Sequence, residues 1–156
     1  MRRMKKFGFL RMLLSCIIAV SMNHPKAIAS HTMGADLTYR WIGGNDYRIR
    51  LSFYRDCAGI TPNATALVNV SSASCGKSQT VTLTPLAGTG NEIPTVCQNM
   101  ATTCNGGTFT GIQEWVYEGT TTLPMQCSDW VFGYNLCCRN AAITTINTPG
   151  TNTFYC

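Results

Sequence analysis

The chain has 156 residues, nine cysteines, 12% charged residues and a formal net charge of +5, which is room for one domain with a real core but hardly for two. The positive balance is misleading, because six of the twelve basic residues (Arg2, Arg3, Lys5, Lys6, Arg11 and Lys26) lie in the first 29 positions. The rest carries six basic residues against seven acids, a balance of −1 without a basic patch, and this excludes nucleic-acid binding driven by phosphate neutralisation.

Residues 1–29 read as a secretory signal peptide. A basic start leads into an apolar run over 12–20, and Ala27-Ile28-Ala29 forms a cleavage pattern before Ser30. The run is far shorter than the roughly 20 residues that span a bilayer, and no later stretch approaches that length, so no membrane span is expected. Leu13-Leu14-Ser15-Cys16 has the outline of a lipobox, but the apolar sequence continues past Cys16 to Val20, which favours ordinary cleavage. Residues 30–156 are then expected to be a secreted, extracellular β domain, either free or retained at the cell surface.

Two runs alternate with period two. Over 34–42, Leu37, Tyr39 and Trp41 share a face against Thr38 and Arg40; over 47–55, Tyr47, Ile49, Leu51 and Phe53 share a face against Arg48, Arg50 and Ser52. Gly43-Gly44-Asn45-Asp46 between them predicts a hairpin. Further strands are predicted over 66–70, 80–86, 112–118, 129–134, 142–146 and 151–155, from their Thr, Val, Ile and aromatic content. Pro62-Asn63, Gly88-Thr89-Gly90-Asn91, Asn105-Gly106-Gly107 and Pro149-Gly150-Thr151-Asn152 punctuate them. No apolar stripe holds helical spacing for three turns, so the fold class expected is all-β: a disulfide-cross-linked antiparallel β-sandwich, immunoglobulin-like or similar.

Eight cysteines remain after the leader: Cys57, Cys75, Cys97, Cys104, Cys127, Cys137, Cys138 and Cys156. An even number of exported thiols reads as a disulfide framework. Neither the six residues between Cys97 and Cys104 nor the adjacent Cys137-Cys138 matches a zinc knuckle, and His31 is the only histidine past the leader, so no metal is expected. Neighbouring residues in a strand point to opposite faces, so Cys137 and Cys138 are expected to take different partners. Local spacing offers Cys97–Cys104, closing a loop with Gln98, Asn99 and Thr103, and Cys127 with Cys137 or Cys138.

The acids Asp36, Asp46, Asp56, Glu92, Glu114, Glu118 and Asp129 are dispersed. Glu114 and Glu118 share a strand face and form the one imaginable carboxylate pair, but solvated face charges are the better reading, and no catalytic residue or cofactor is assigned. Most aromatics alternate with polar residues and belong to the core; Trp41, Trp115 and Trp130 are the candidates for stacking on a sugar ligand. Asn63-Ala64-Thr65 and Asn69-Val70-Ser71 match the glycosylation sequon, which matters only in a host with that machinery.

Several segments together resemble a known family. His31-Thr32-Met33-Gly34-Ala35-Asp36-Leu37-Thr38-Tyr39 is similar to its His-x-x-Gly-Gly-Glu-Ile-Thr-Tyr opening. Gly44-Asn45-Asp46-Tyr47-Arg48 and Tyr54-Arg55-Asp56-Cys57-Ala58-Gly59 resemble its Gly-Asn-x-Tyr-Arg and Tyr-Arg-Asp-Cys-x-Gly segments. Cys127-Ser128-Asp129-Trp130 and Cys137-Cys138-Arg139-Asn140 resemble its Cys-x-x-Trp and Cys-Cys-Arg-Asn signatures. The family is the N-terminal module of large secreted surface proteins of Bacteroidetes-type gliding bacteria, which continue into PKD or immunoglobulin-like repeats and a gliding-motility-associated sorting domain. Ala35-Asp36 departs from the family's Gly-Glu, and the 156 residues do not include the repeats.

The resemblance implies a non-enzymatic, adhesin-like or structural module. Its partner would be a cell-surface or extracellular polymer, or neighbouring domains of a longer chain. The alternative is a carbohydrate-binding module using the tryptophans. Residues 151–155 read as the first half of a strand, so the chain is expected to continue past Cys156; otherwise Cys156 would staple a chain end by a disulfide.

Overall fold

A computed structural model describes residues 32–94, 96–97, 100–140 and 143–156. The leader expected over residues 1–29, with Cys16, and also His31, Gln98 and Asn99, lie outside the described residues. Eight strands follow one another: β1 (Thr32–Gly43), β2 (Asp46–Asp56), β3 (Ala66–Ser72), β4 (Lys77–Pro85), β5 (Asn91–Ile93), β6 (Ile112–Thr122), β7 (Val131–Cys137) and β8 (Thr153–Tyr155). Every pairing between them is antiparallel. The described residues contain two single 3₁₀ turns and no α-helix, so the chain is all-β as its periodicity predicts.

The strand order is β1-β2-β6-β4-β3-β7-β8, with β5 alongside β6. β2 covers one edge of β6 along its whole length, from Asp46↔Thr122 to Asp56↔Ile112. The other edge is shared: β5 takes its first residues and β4 meets it at Glu118 and Tyr117. Because β4 pairs with β3 from Lys77 to Leu83 and reaches β6 only with Thr84 and Pro85, the sheet bends there and curls into a half-barrel. The two facing layers expected of a sandwich are thus two flanks of one curled sheet.

The core lies inside the curl. Alternation delivers Ile49, Leu51 and Phe53 from β2, Ala66, Val68 and Val70 from β3, Val81 and Leu83 from β4, Tyr117 from β6 and Tyr134 from β7. Ile49, Leu51, Leu83, Val68 and Val70 are fully buried, and each such aliphatic side chain contributes roughly 1.5–3 kcal/mol by leaving water. The two ends of the strand order lean together, with Thr32 bridging Arg139 and the Tyr39 ring stacking on Phe132 at 4.3 Å.

The predicted hairpin forms with a two-residue turn, Gly44-Asn45, between Gly43 and Asp46. Gly43 and Gly44 hold φ of 138° and 53°, a region side chains disfavour. Two predictions fail. Residues 143–146 form no strand, and Ala142 lies outside the described residues; β7 offers them no edge, because β3 and β8 occupy both. The last predicted strand shortens to Thr153–Tyr155, since Pro149–Thr151 turns as a 3₁₀ helix first.

The disulfide expectations are corrected in detail. The bridges are Cys57–Cys104, Cys75–Cys127 and Cys137–Cys138, and Cys97 and Cys156 are exposed free thiols. Cys104 does not pair with Cys97, because the turn Thr103–Asn105 is folded against the end of β2. There Cys57 donates its N–H to Gly111 O at 2.9 Å, and a Cβ on Gly111 would sit 2.4 Å from Cys104 Sγ. Cys127 pairs with neither Cys137 nor Cys138. The β3–β7 register, Asn69↔Gly133 and Ser71↔Val131, continued four residues further sets Cys75 opposite Cys127. Cys137 and Cys138 bond to each other because β7 ends at Cys137 and Cys138 turns to φ 87°, which breaks the strand alternation that was to separate them. Cys156 is no staple; backbone bonds to Tyr134, 2.8 and 3.0 Å, hold the end of β8.

Candidate functional site

Two of the segments that carry the family resemblance, Tyr54 to Gly59 and Cys127 to Trp130, are engaged in the frame. Arg55, at the end of β2, spends its guanidinium on the loop that follows: Nη1 donates to Gly59 O (3.0 Å) and Ile60 O, Nη2 to Cys57 O, and Nε to Gln113 Oε1 on β6 (3.0 Å). Asp56 accepts from the Ala58 N–H at 2.9 Å and Cys57 is bridged to Cys104. Tyr54, Arg55, Asp56 and Cys57 therefore build a knot at the end of the β2–β6 pair. Asp129 plays the matching part at the opposite flank. Its carboxylate accepts from the Ser72 hydroxyl (2.5 Å), the Ser74 hydroxyl (2.6 Å) and the Ser74 N–H (2.8 Å), beside the Cys75–Cys127 bridge. The Ser72 bond foremost, then the two from Ser74, holds it well below the usual carboxylate range.

Four of the five remaining acids are similarly engaged. Asp36 accepts from the Tyr54 hydroxyl, Asp46 from Thr122, Glu92 from Thr102 and Asn105, and Glu118 faces Arg48 at 3.5 Å. Glu114 and Glu118 do lie on one face of β6, but four residues of strand separate them by about 13 Å. That exceeds the roughly 5–10 Å at which two carboxylates share a glycosidic bond. Among the described residues no three His, Cys, Asp or Glu side chains group as metal ligands, and no helix is long and apolar enough to cross a membrane.

A small hollow opens between the end of β2 and the 60–65 loop, over Phe53, Tyr117 and Tyr134. Its volume of about 70 Å³ falls well below the roughly 300–1,000 Å³ of a ligand pocket. Its polar floor is closed by the core, since the Tyr117 hydroxyl donates to Asn63 O at 2.8 Å. Burial first, with Tyr117 and Cys156 adding, pushes the Tyr134 phenol up to about 12.

The three tryptophans part company. Trp115 is half-buried against the core and lies under Gly90, where an added Cβ would meet its ring at 2.9 Å. Trp130 is also half-buried against the core, with its indole N–H donated to Met125 O at 3.1 Å. Of the three stacking candidates only Trp41 presents an exposed ring, 61% accessible at the hairpin end, where it donates to Gly44 O at 2.9 Å. Tyr39 on the same strand face is 56% exposed, so the expectation that these two rings belong to the core is also corrected.

One constellation was not legible in the sequence. Antiparallel register sets Arg40 directly opposite Arg48 and Thr38 opposite Arg50, with Glu118 opposite Arg50 on the next strand. Three of the six cationic side chains beyond residue 29 therefore stand together on the outer face of β1, β2 and β6. They line a shallow depression of about 420 Å³ with Thr38, Tyr39 and Glu118. The balance of −1 concealed this basic patch. The signal available beforehand was Arg48-x-Arg50 on the polar face of one strand and Arg40 on that of its hairpin partner.

No protein family, curated protein or solved structure matches this chain. The three disulfides mark it as a product of an oxidising environment.

Proposed function

We propose that this chain is a secreted, non-catalytic module that works at the cell surface by adhesion, of the kind found at the N-terminus of large surface proteins of gliding bacteria. The observation that carries the reading is where the functional-looking residues go. The Tyr-Arg-Asp-Cys and Cys-x-x-Trp segments are consumed in knots and bridges that stiffen a β frame, while arginines and aromatics are left outward at the β1–β2 hairpin. The engaged acids and the wide Glu114–Glu118 spacing favour binding over hydrolysis. The leader ending in Ala27-Ile28-Ala29 supports export.

A second reading, sugar stacking on Trp41, is favoured by the exposure of that ring beside Tyr39. One experiment addresses both. The exported protein is expected to begin at Ser30 by mass spectrometry and to bind immobilised glycans or cell-surface polymers saturably, releasing no product. Turnover of a glycan or peptide substrate would refute the non-catalytic reading, and loss of all binding in Trp41→Ala would move the function to sugar stacking.

A further inference from the structure

The outer face of the β1–β2–β6 flank carries an electrostatic arrangement that stability alone opposes. Arg40 and Arg48 are direct cross-strand neighbours, and like charges so placed destabilise a sheet. Glu118 offsets one of them through Arg48 at 3.5 Å, and among the described residues neither Arg40 nor Arg50 has an ion pair. The other acids of this face stand at its two ends, Asp36 and Glu114 beside Tyr54 and Asp46 before Arg48, where it accepts from the Thr122 hydroxyl. Soluble surfaces normally intersperse the two signs; here Arg40, Arg48 and Arg50 stand together with Glu118 as the acid ion-paired among them.

We propose that this face binds an acidic polysaccharide, whose carboxylate or sulfate groups are held by Arg40, Arg48 and Arg50. The proposal rests on the adhesive reading above and names its ligand. Arginine's planar fork pairs with such oxyanions through two parallel hydrogen bonds. The pleat spaces the three forks, about 5 Å apart across strands and about 7 Å along one, so a polymer with repeated charges meets several at once and gains by multivalency. The depression lies on the outer face of three strands, where a chain can lie across it. Three arginines on a chain of balance −1 beyond the leader give little of the phosphate neutralisation that duplex nucleic acid demands.

The test measures binding of the exported chain to dextran sulfate, polygalacturonate, uncharged dextran and duplex DNA. Saturable binding to either acidic polysaccharide, absent on dextran and weakened by salt, is the expected result; which of the two binds separates sulfate from carboxylate recognition. Arg40→Gln/Arg50→Gln is expected to lose at least about tenfold in affinity, as two charge-assisted contacts imply. Glu118→Gln is expected to gain roughly threefold by removing the competing anion, a gain that misfolding cannot mimic. Failure of both acidic polymers, equal binding by the double arginine variant, weaker binding by Glu118→Gln, or tighter binding to DNA would each overturn the proposal. Arginine-independent binding to other glycans would do so while leaving the adhesive reading standing, whereas failure of every polymer would remove both.

Discussion

At the scale of the residue, Asp129 shows how a polar side chain earns its place in this fold without any chemistry. Three donors from the turn after β3 converge on its carboxylate and depress its pKa. A carboxyl whose folded pKa is depressed stabilises the fold above its unfolded pKa of about 4, and that stabilisation is lost as pH falls through the lower folded value. Asp129→Asn is therefore expected to melt below the wild type at neutral pH and to lose less on acidification. The gap between the two melting curves narrows as pH falls from about 4 to about pH 2. Parallel curves from neutral pH down to that point would show that the three hydrogen bonds do not favour the charged form. Arg55 is the cationic counterpart, satisfying three loop carbonyls that no strand can reach.

At the scale of the element, the join between β4 and β6 decides the curl. Only Thr84 and Pro85 of β4 pair with β6, and the close approach depends on Gly119. A Cβ there would stand 2.8 Å from Leu83 Cδ2 and 3.0 Å from Thr82 O. Gly119→Ala is expected to cost about 1–3 kcal/mol by overpacking. Leu83→Ala alone should cost about 2–5 kcal/mol, because that side chain is fully buried. In the double variant the alanine methyl occupies part of the vacated space, so the two costs should sum to less than their separate values. Urea denaturation of the four proteins measures this, and strict additivity would mean that Gly119 and Leu83 do not share the junction.

At the scale of the whole molecule, two long-range bridges each close one flank, with sequence separations of 47 for Cys57–Cys104 and 52 for Cys75–Cys127. Removing the second in Cys75→Ser/Cys127→Ser is expected to lower stability by about 2–4 kcal/mol through the freed unfolded chain. Without reduction, the chain from Ser30 onward should titrate two thiols, Cys97 and Cys156, and its peptide map should contain the 57–104, 75–127 and 137–138 pairs. A thiol count of zero would mean that all eight are bridged and that the pairing described here is incomplete.

Period-two alternation in β1 and β2, the Gly-rich turn between them and the even set of eight cysteines past residue 29 were enough to derive an all-β, oxidised domain, because side-chain polarity and turn chemistry are local properties that each residue carries with it. The sequence also held the eight thiols but not their pairing, which followed once register aligned Cys75 with Cys127 and the fold of the 103–105 turn brought Cys104 to Cys57. The vicinal Cys137–Cys138 pair depended on where β7 stops, and that boundary is set by the edge it shares with β8. The same holds for the candidate site: a net charge sums over the chain and discards position. Only the antiparallel register of β1 on β2, and of β2 on β6, gathers Arg40, Arg48 and Arg50 onto one face, while packing turns Trp115 and Trp130 inward and leaves Trp41 exposed.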